Sequence, residues 1–553
     1  MSIKTQTLAG FLFDYLYHKG VKHAFGIPGD FALPMFRALE NSPIELFNLT
    51  HEPSVGFAAD GYARVHGLGV ACVTYCVGGL NMLNAVACAY AEKSPLLVIS
   101  GGPSPNDRRV DGLIHHKVKT FDTQRRIFDE VTCASAVLLD PETAPGEIIR
   151  VVEEVLKQSR PGYIELPFDL VEAPVKPPVI RNQPAVESDR EMLEEAIREA
   201  EAFINNAKKP VILAGVELHR YGLTDYASKI AQKFNIPIAA DMLSKSTISE
   251  TNPLYIGVYS GALSEEPCQT YVDESDCVIM LGTLVYDIFL GIGTAKLTRK
   301  RSMHITSEKC RIGMHAYEGV LFKDFLEGLA EANITQRAAF KNPNPVKEIV
   351  PLKEAENNDK LTVESMFRIF GLELPEGSTL VCDTGDALTG ALSLRTTQRK
   401  NFLSDAYYLS MGFAVPAAIG VMAAKPEGRV FAIVGDGAFQ MTGTELSTCA
   451  RYKMAPIVIV INNDGYGTQR HILDGPFNNI TMWDYTKIPE LIRYGTSTRV
   501  STKGEFDKAL KEAIASSELS LIEVVVPRDD CSVPLKRLGE ELGKIRDSEK
   551  KRA

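Results

Sequence analysis

Short β-branched and aliphatic runs alternate with helically periodic segments along almost the whole chain. Residues 70–76, 96–99 and 163–166 are short, largely apolar stretches, as expected of buried parallel strands. Between the first two lies 79–93, rich in Ala, Leu and Met at helical spacing. This is a βαβ pattern, and it predicts parallel sheets flanked by helices. The pattern returns after a break, with a helix at 190–206 and strands at 210–214, 236–240, 277–281 and 303–305. It returns a third time with strands at 379–382, 430–434, 457–461 and 521–526.

The breaks have linker chemistry. Ala173-Pro174-Val175-Lys176-Pro177-Pro178 is followed by polar residues to about Asp189. A second linker covers 341–360, with Pro343, Pro345, Pro351 and a polar run over 354–360. Three α/β domains are therefore expected, at 1–180, 190–342 and 358–553. The charged tail after Glu540 reads as a frayed helix end.

Composition narrows the class only slightly. The chain has 553 residues, 45% of them hydrophobic and 24% charged, which is ordinary for a globular protein. A net charge of −10 argues against nucleic acid or an anionic membrane as main partner. Ten cysteines without CxxC spacing read as reduced thiols, and Cys72 and Cys76 as packing residues. Asp14 and His18 interrupt the apolar residues near the N-terminus, so no signal peptide is expected. The longest apolar stretch, 412–424, is too short to span a bilayer and contains Pro416. A cytoplasmic location is the expectation.

The chemistry concentrates in 429–467, RVFAIVGDGAFQMTGTELSTCARYKMAPIVIVINNDGYG. One predicted strand ends in Gly435-Asp436-Gly437 and leads into a helix. The next ends in Asn462-Asn463-Asp464-Gly465. Either motif alone is an ordinary turn. Together they place both at the carboxyl ends of strands, where open α/β sheets bind ligands. Glycines allow close approach of backbone to a diphosphate, and a helix N-terminus favours anions. Mg²⁺ takes hard oxygen ligands, commonly shared between protein and phosphate. Asp436, the Asn463 side chain and the Gly465 carbonyl can supply three. No GxGxxG follows a strand and no GxxxxGK[ST] occurs, which argues against a nicotinamide dehydrogenase or a P-loop enzyme.

This pair of motifs resembles that of thiamine-diphosphate-dependent enzymes. Other segments resemble the pyruvate, indolepyruvate and phenylpyruvate decarboxylase branch, from Phe25-Gly26-Ile27-Pro28-Gly29-Asp30 to 534–539. The resemblance implies a pyrimidine-binding, a central and a diphosphate-binding domain, with thiamine diphosphate and Mg²⁺ as cofactors. It implies cofactor contacts from Gly435, Asp436, Gly437, Ala438, Asn463, Gly465, Tyr466 and Asp386. Glu52, in Thr50-His51-Glu52-Pro53, would meet the aminopyrimidine and promote removal of the thiazolium C2 proton. Met411 would wedge the two rings apart, and the Leu409 carbonyl would accept from the 4′-amino group. Asp30, His115 and His116 would relay protons while an enamine is protonated and an aldehyde leaves.

One position departs from the pattern. Many relatives carry a catalytic Glu where this chain has Gln469, and a carboxamide cannot donate a titratable proton. Three readings are open: a Glu-to-Gln variant that slows product release, a natural bias toward carbon–carbon bond formation, or another acid, with Asp287 the candidate. The resemblance places Ala387, Leu388 and Thr389 in the substrate pocket, and the bulky aromatics that many relatives carry near Leu388 and Thr389 are absent, which suggests a larger or aromatic 2-oxo acid. The leading expectation is a non-oxidative decarboxylase. A carboligase taking an aldehyde as second substrate and a non-catalytic homologue are the rivals. The resemblance also implies a homodimer or homotetramer, with Glu52 of one subunit facing Asp436 and Asn463 of another.

Overall fold

The structure, a computed structural model, describes residues 6–178, 186–345 and 349–552. Parts of both expected linkers, 179–185 and 346–348, lie outside the described residues. Three large sheets carry the fold. The first runs Glu45–Asn48, His23–Gly26, Gly69–Val73, Leu96–Gly102, Gly162–Pro167, Ala134–Val137, all parallel. The third runs Phe402–Ser404, Thr379–Cys382, Val430–Gly435, Ile457–Asn462, Ser520–Val525, Thr496–Val500, again all parallel. The middle sheet has five parallel strands, from Tyr255–Val258 to Ser302–Ile305. Its edge differs from the all-parallel expectation: Cys310–Ile312 and His315–Tyr317 add an antiparallel meander.

The inner strands are buried on both faces, which is why they read as continuous apolar runs. Two elements differ from expectation. The strand expected at 70–76 ends at Val73, because Cys76 turns into positive φ of 50°. The helix expected at 79–93 is broken at Met82 into Val77–Asn81 and Leu83–Ala91.

The first and third sheets are joined through two helices. Glu52–His66 crosses Ala414–Ala424 with backbones in contact. A Cβ on Gly420 would lie 1.9 Å from the Ala58 carbonyl oxygen, and one on Gly61 would lie 2.5 Å from that of Ala417. Only glycine fits at either crossing point. The long final helix, Val533–Arg552, folds back over the third sheet, where the Ser532 N–H donates to Asp386 Oδ1 at 2.7 Å.

Candidate active site

In the third sheet the chain leaves Thr379–Cys382 toward one edge and Val430–Gly435 toward the other. Their adjacent carboxyl ends form the switch point at which such sheets bind ligands. A cavity of about 410 Å³ opens there. Every residue assigned above to the diphosphate, metal and ring-bending roles lines it: Asp386, Leu409, Met411, Gly435, Asp436, Gly437, Ala438, Asn463, Gly465 and Tyr466. So do Ala387, Leu388, Thr389 and Gln469.

Asp436 is the first residue of helix Asp436–Thr442 and is 1% exposed. Its Oδ1 accepts from the Gly437 N–H at 2.7 Å and its Oδ2 from the Gly465 N–H at 2.9 Å. Burial pushes its carboxyl up to about 6, against the lowering pull of those N–H groups. Gly465 has φ of 125°, and a Cβ there would lie 2.3 Å from the Asn478 carbonyl oxygen. The Asn463 amide packs on Gly467, where a Cβ would lie 2.1 Å from Nδ2. Arg470, buried beneath the loop, donates to the Asn463 carbonyl at 2.9 Å and also to that of Asp464. Sequence reading misses Arg470, since a lone arginine after a turn carries no mark of burial. A buried carboxylate raised in this way, beside an amide and a carbonyl in one loop, is a hard-oxygen donor set suited to Mg²⁺.

The opposite wall is strained. Leu409 has φ of 57°, costly for a branched side chain, and its N–H donates to the Asp405 carbonyl at 2.9 Å. Asp383 fixes the backbone just beyond this turn by accepting from the N–H groups of Gly412 at 3.1 Å and Ala414 at 2.9 Å. Met411 reaches the glycine motif: a Cβ on Gly437 would lie 3.6 Å from its Cε. Leu263, Ile288, Leu535, Leu538 and Leu542 extend an apolar lining that sequence reading does not assign. They come from the middle sheet's loops and the final helix, and no local motif marks them.

A second cluster lies on the first sheet. Asp30 is bonded to His115 Nε2 and lies 3.6 Å from His116 Nε2. Burial raises the Asp30 carboxyl. The His115 hydrogen bond, the Phe31 N–H and the charges of the two imidazoles outweigh it and hold it below the usual range. Asp30 is thus held toward its ionised form. The His115 ring stacks on Phe31 with centroids 4.7 Å apart. Glu52 begins helix Glu52–His66 and accepts from Asn81 Nδ2 at 2.7 Å.

Within one chain these two groups stay apart: Glu52, Asp30, His115 and His116 do not line the 410 Å³ cavity. Asp287 does not line it either. Its Oδ1 turns back to accept from the Ile288 N–H at 2.9 Å and the residue is exposed, while Ile288 occupies the wall.

Three family models match, described as the N-terminal TPP binding domain, the central domain and the C-terminal TPP binding domain of thiamine pyrophosphate enzymes, over residues 6–125, 197–322 and 383–524. The chain is 35% identical to an indole-3-pyruvate decarboxylase of Azospirillum brasilense, covering 96% of this chain and 97% of that protein. It is 31% identical to a probable pyruvate decarboxylase of Schizosaccharomyces pombe, over 97% and 96% of the two chains. It is 32% identical to pyruvate decarboxylase 4 of Arabidopsis thaliana, over 97% and 91%.

Proposed function

The chain belongs to the thiamine pyrophosphate enzyme family, and from that premise we propose that it removes carbon dioxide from a 2-oxo acid and releases an aldehyde. The observation that carries this reading is the convergence of Asp436, Asn463 and Gly465 with Leu409 and Met411 on one cavity. When bound, thiamine diphosphate supplies a carbon nucleophile for the 2-oxo carbon and an acceptor for the electron pair that carbon dioxide leaves behind.

The chain's own residues do the rest. Asp436, Asn463 and the Gly465 carbonyl would hold Mg²⁺, and the start of helix Asp436–Thr442 would favour the diphosphate. Met411 and the strained Leu409 turn would position the cofactor's two rings. Glu52, from a second copy of the chain, holds a proton at the pyrimidine ring nitrogen. Asp30 and His115 move a proton between the substrate carbon and solvent. Apolar walls exclude water while opposite charges neutralise, which favours loss of carbon dioxide. Aliphatic Ala387 and Leu388 beside Leu535 and Leu538 suit a larger or aromatic 2-oxo acid, a reading also supported by the relative named for indole-3-pyruvate.

A second reading has its own support. Gln469 lines the cavity without a titratable proton and Asp287 does not line it, which favours carbon–carbon bond formation with an added aldehyde over protonation. Purified protein, thiamine diphosphate and Mg²⁺ with a panel of 2-oxo acids separate the two readings. Carbon dioxide with free aldehyde, faster from aromatic acids than from pyruvate, is the expected result. Carbon dioxide with acyloin alone means a carboligase, and no carbon dioxide from any acid removes both readings.

A further inference from the structure

The cluster on the first sheet is assembled from two places in the chain. Asp30 opens the short turn Asp30–Ala32, close behind strand His23–Gly26. The Lys117 N–H donates to the Ile114 carbonyl at 3.3 Å, so His115 and His116 are the central residues of a tight turn. His116 has φ of 66°, a left-handed conformation that histidine adopts more readily than most residues. Side chains of adjacent residues would diverge on an extended chain. Here the two imidazoles stay together, with centroids 4.8 Å apart and planes 73° apart.

Packing aims these rings. Buried Phe31 stacks on His115 and meets the His116 ring edge-on, with centroids 6.1 Å apart. Phe31 packs in turn with Tyr75, Cys76, Leu80 and Ile114. Lys117 Nζ ties the loop by donating to Asp111 Oδ1 at 2.7 Å and to the Gly112 carbonyl at 3.0 Å. Both Nε2 atoms then face one carboxylate: His115 meets Asp30 Oδ2, and His116 lies 3.6 Å from Asp30 Oδ1. One ligand atom from each of the three residues lies within 4.8 Å of the other two. Bonds of about 2.0–2.1 Å to a tetrahedral ion put ligand atoms about 3.3 Å apart, a value that the observed spacings bracket. The three side chains are 60%, 51% and 30% exposed for His115, Asp30 and His116. They can therefore adjust, and solvent gives an ion an entry path.

We propose that Asp30, His115 and His116 form an inhibitory site for Zn²⁺, with the fourth position open to water. Two imidazoles and a carboxylate suit Zn²⁺ and match Mg²⁺ poorly, since Mg²⁺ takes oxygen ligands. The oxygen set of Asp436, Asn463 and Gly465 has the opposite preference, so the two clusters sort the two metals. Zinc replaces the Asp30–His115 hydrogen bond and occupies the Nε2 lone pair of each histidine. The inhibitory part rests on the function proposed above, in which these groups move a proton to the substrate carbon; the binding part does not.

The experiment uses untagged protein loaded with thiamine diphosphate and kept in excess Mg²⁺, so the Asp436 site is already filled. Zn²⁺ is titrated by calorimetry, and one saturable site per chain is expected. His116→Gln and Asp30→Asn should each weaken it by roughly 100-fold or more, since even the partners behind a ligand are worth about 10–100-fold. Both residues lie at the surface, so these variants should fold. His315→Gln, which removes an exposed histidine paired with Glu199 on the middle sheet, should bind as the parent does. No saturable binding, or binding unchanged in His116→Gln, overturns the site. Aldehyde release should fall as the site fills and return when a zinc chelator is added with further Mg²⁺. Zinc bound with turnover unchanged overturns the inhibitory role. A parent protein without turnover counts against the proposed function alone, because the calorimetry does not use it.

Discussion

At the residue scale, Asp436 links metal uptake to pH. In the metal-free protein burial raises its carboxyl to about 6, above its value in an unfolded chain, about 3.9. Its contribution to folding is therefore complete below about pH 4 and is lost as pH rises through about 6. Metal binding runs the other way, since the ligand must be ionised. Titrating Mg²⁺ with cofactor present should show affinity falling steeply as pH drops below about 6, with a plateau above. The same curve in Asp436→Asn should be weak and flat. Gln469 is the complementary case. It lines the cavity but offers no proton, so Gln469→Glu should raise aldehyde release by roughly tenfold or more, toward the 10²–10⁴ of a general acid. Cofactor affinity should stay unchanged. Steady-state turnover beside a cofactor titration checks both, and equal turnover removes Gln469 from the chemistry. The glycine and asparagine motifs were legible because positive φ and close backbone approach leave few residue choices. Arg470 and Asp383 were not, because their work is to hold backbone groups of loops that only the fold brings near.

At the element scale, the crossing of Glu52–His66 and Ala414–Ala424 sets how the first sheet meets the third. Helix propensity alone predicts that Gly420→Ala stabilises, by about 0.5–1 kcal/mol. The new Cβ would lie 1.9 Å from a backbone oxygen, which cannot rotate away, and overpacking of this kind costs about 1–3 kcal/mol or more. The clash should win. A denaturant midpoint shifted down in Gly420→Ala checks it, and an upward shift would mean the helices can separate freely. Strand legibility followed burial. Pro210–Ala214, Cys277–Leu281 and Thr379–Cys382 agree with the residues read from sequence. The edge strands Glu45–Asn48 and Thr496–Val500 are half exposed and polar, so no apolar run announced them. The break at Met82 was hidden because both halves keep a helical composition.

At the scale of the whole molecule, the division of labour between the two clusters is decisive. One chain places Asp436, Asn463, Met411 and Gln469 on one cavity and leaves Glu52, Asp30, His115 and His116 off it. On the function proposed above, a complete site is assembled from two copies, each lending one half to the other, as a two-fold interface does reciprocally. Exposed Tyr407, Tyr408, Trp483 and Phe477 give the chain apolar surface to bury in such an interface. The consequence is genetic as well as structural. Glu52→Gln and Asp436→Asn should each be nearly inactive alone. Coexpressed with different tags and purified as the mixed dimer, they leave one site carrying both substitutions and the other carrying neither. That dimer should recover about half the parent's decarboxylation rate. If the mixed dimer is as inactive as its parents, the two clusters act within one chain, and Glu52 must reach the cofactor by a rearrangement of the helix crossing.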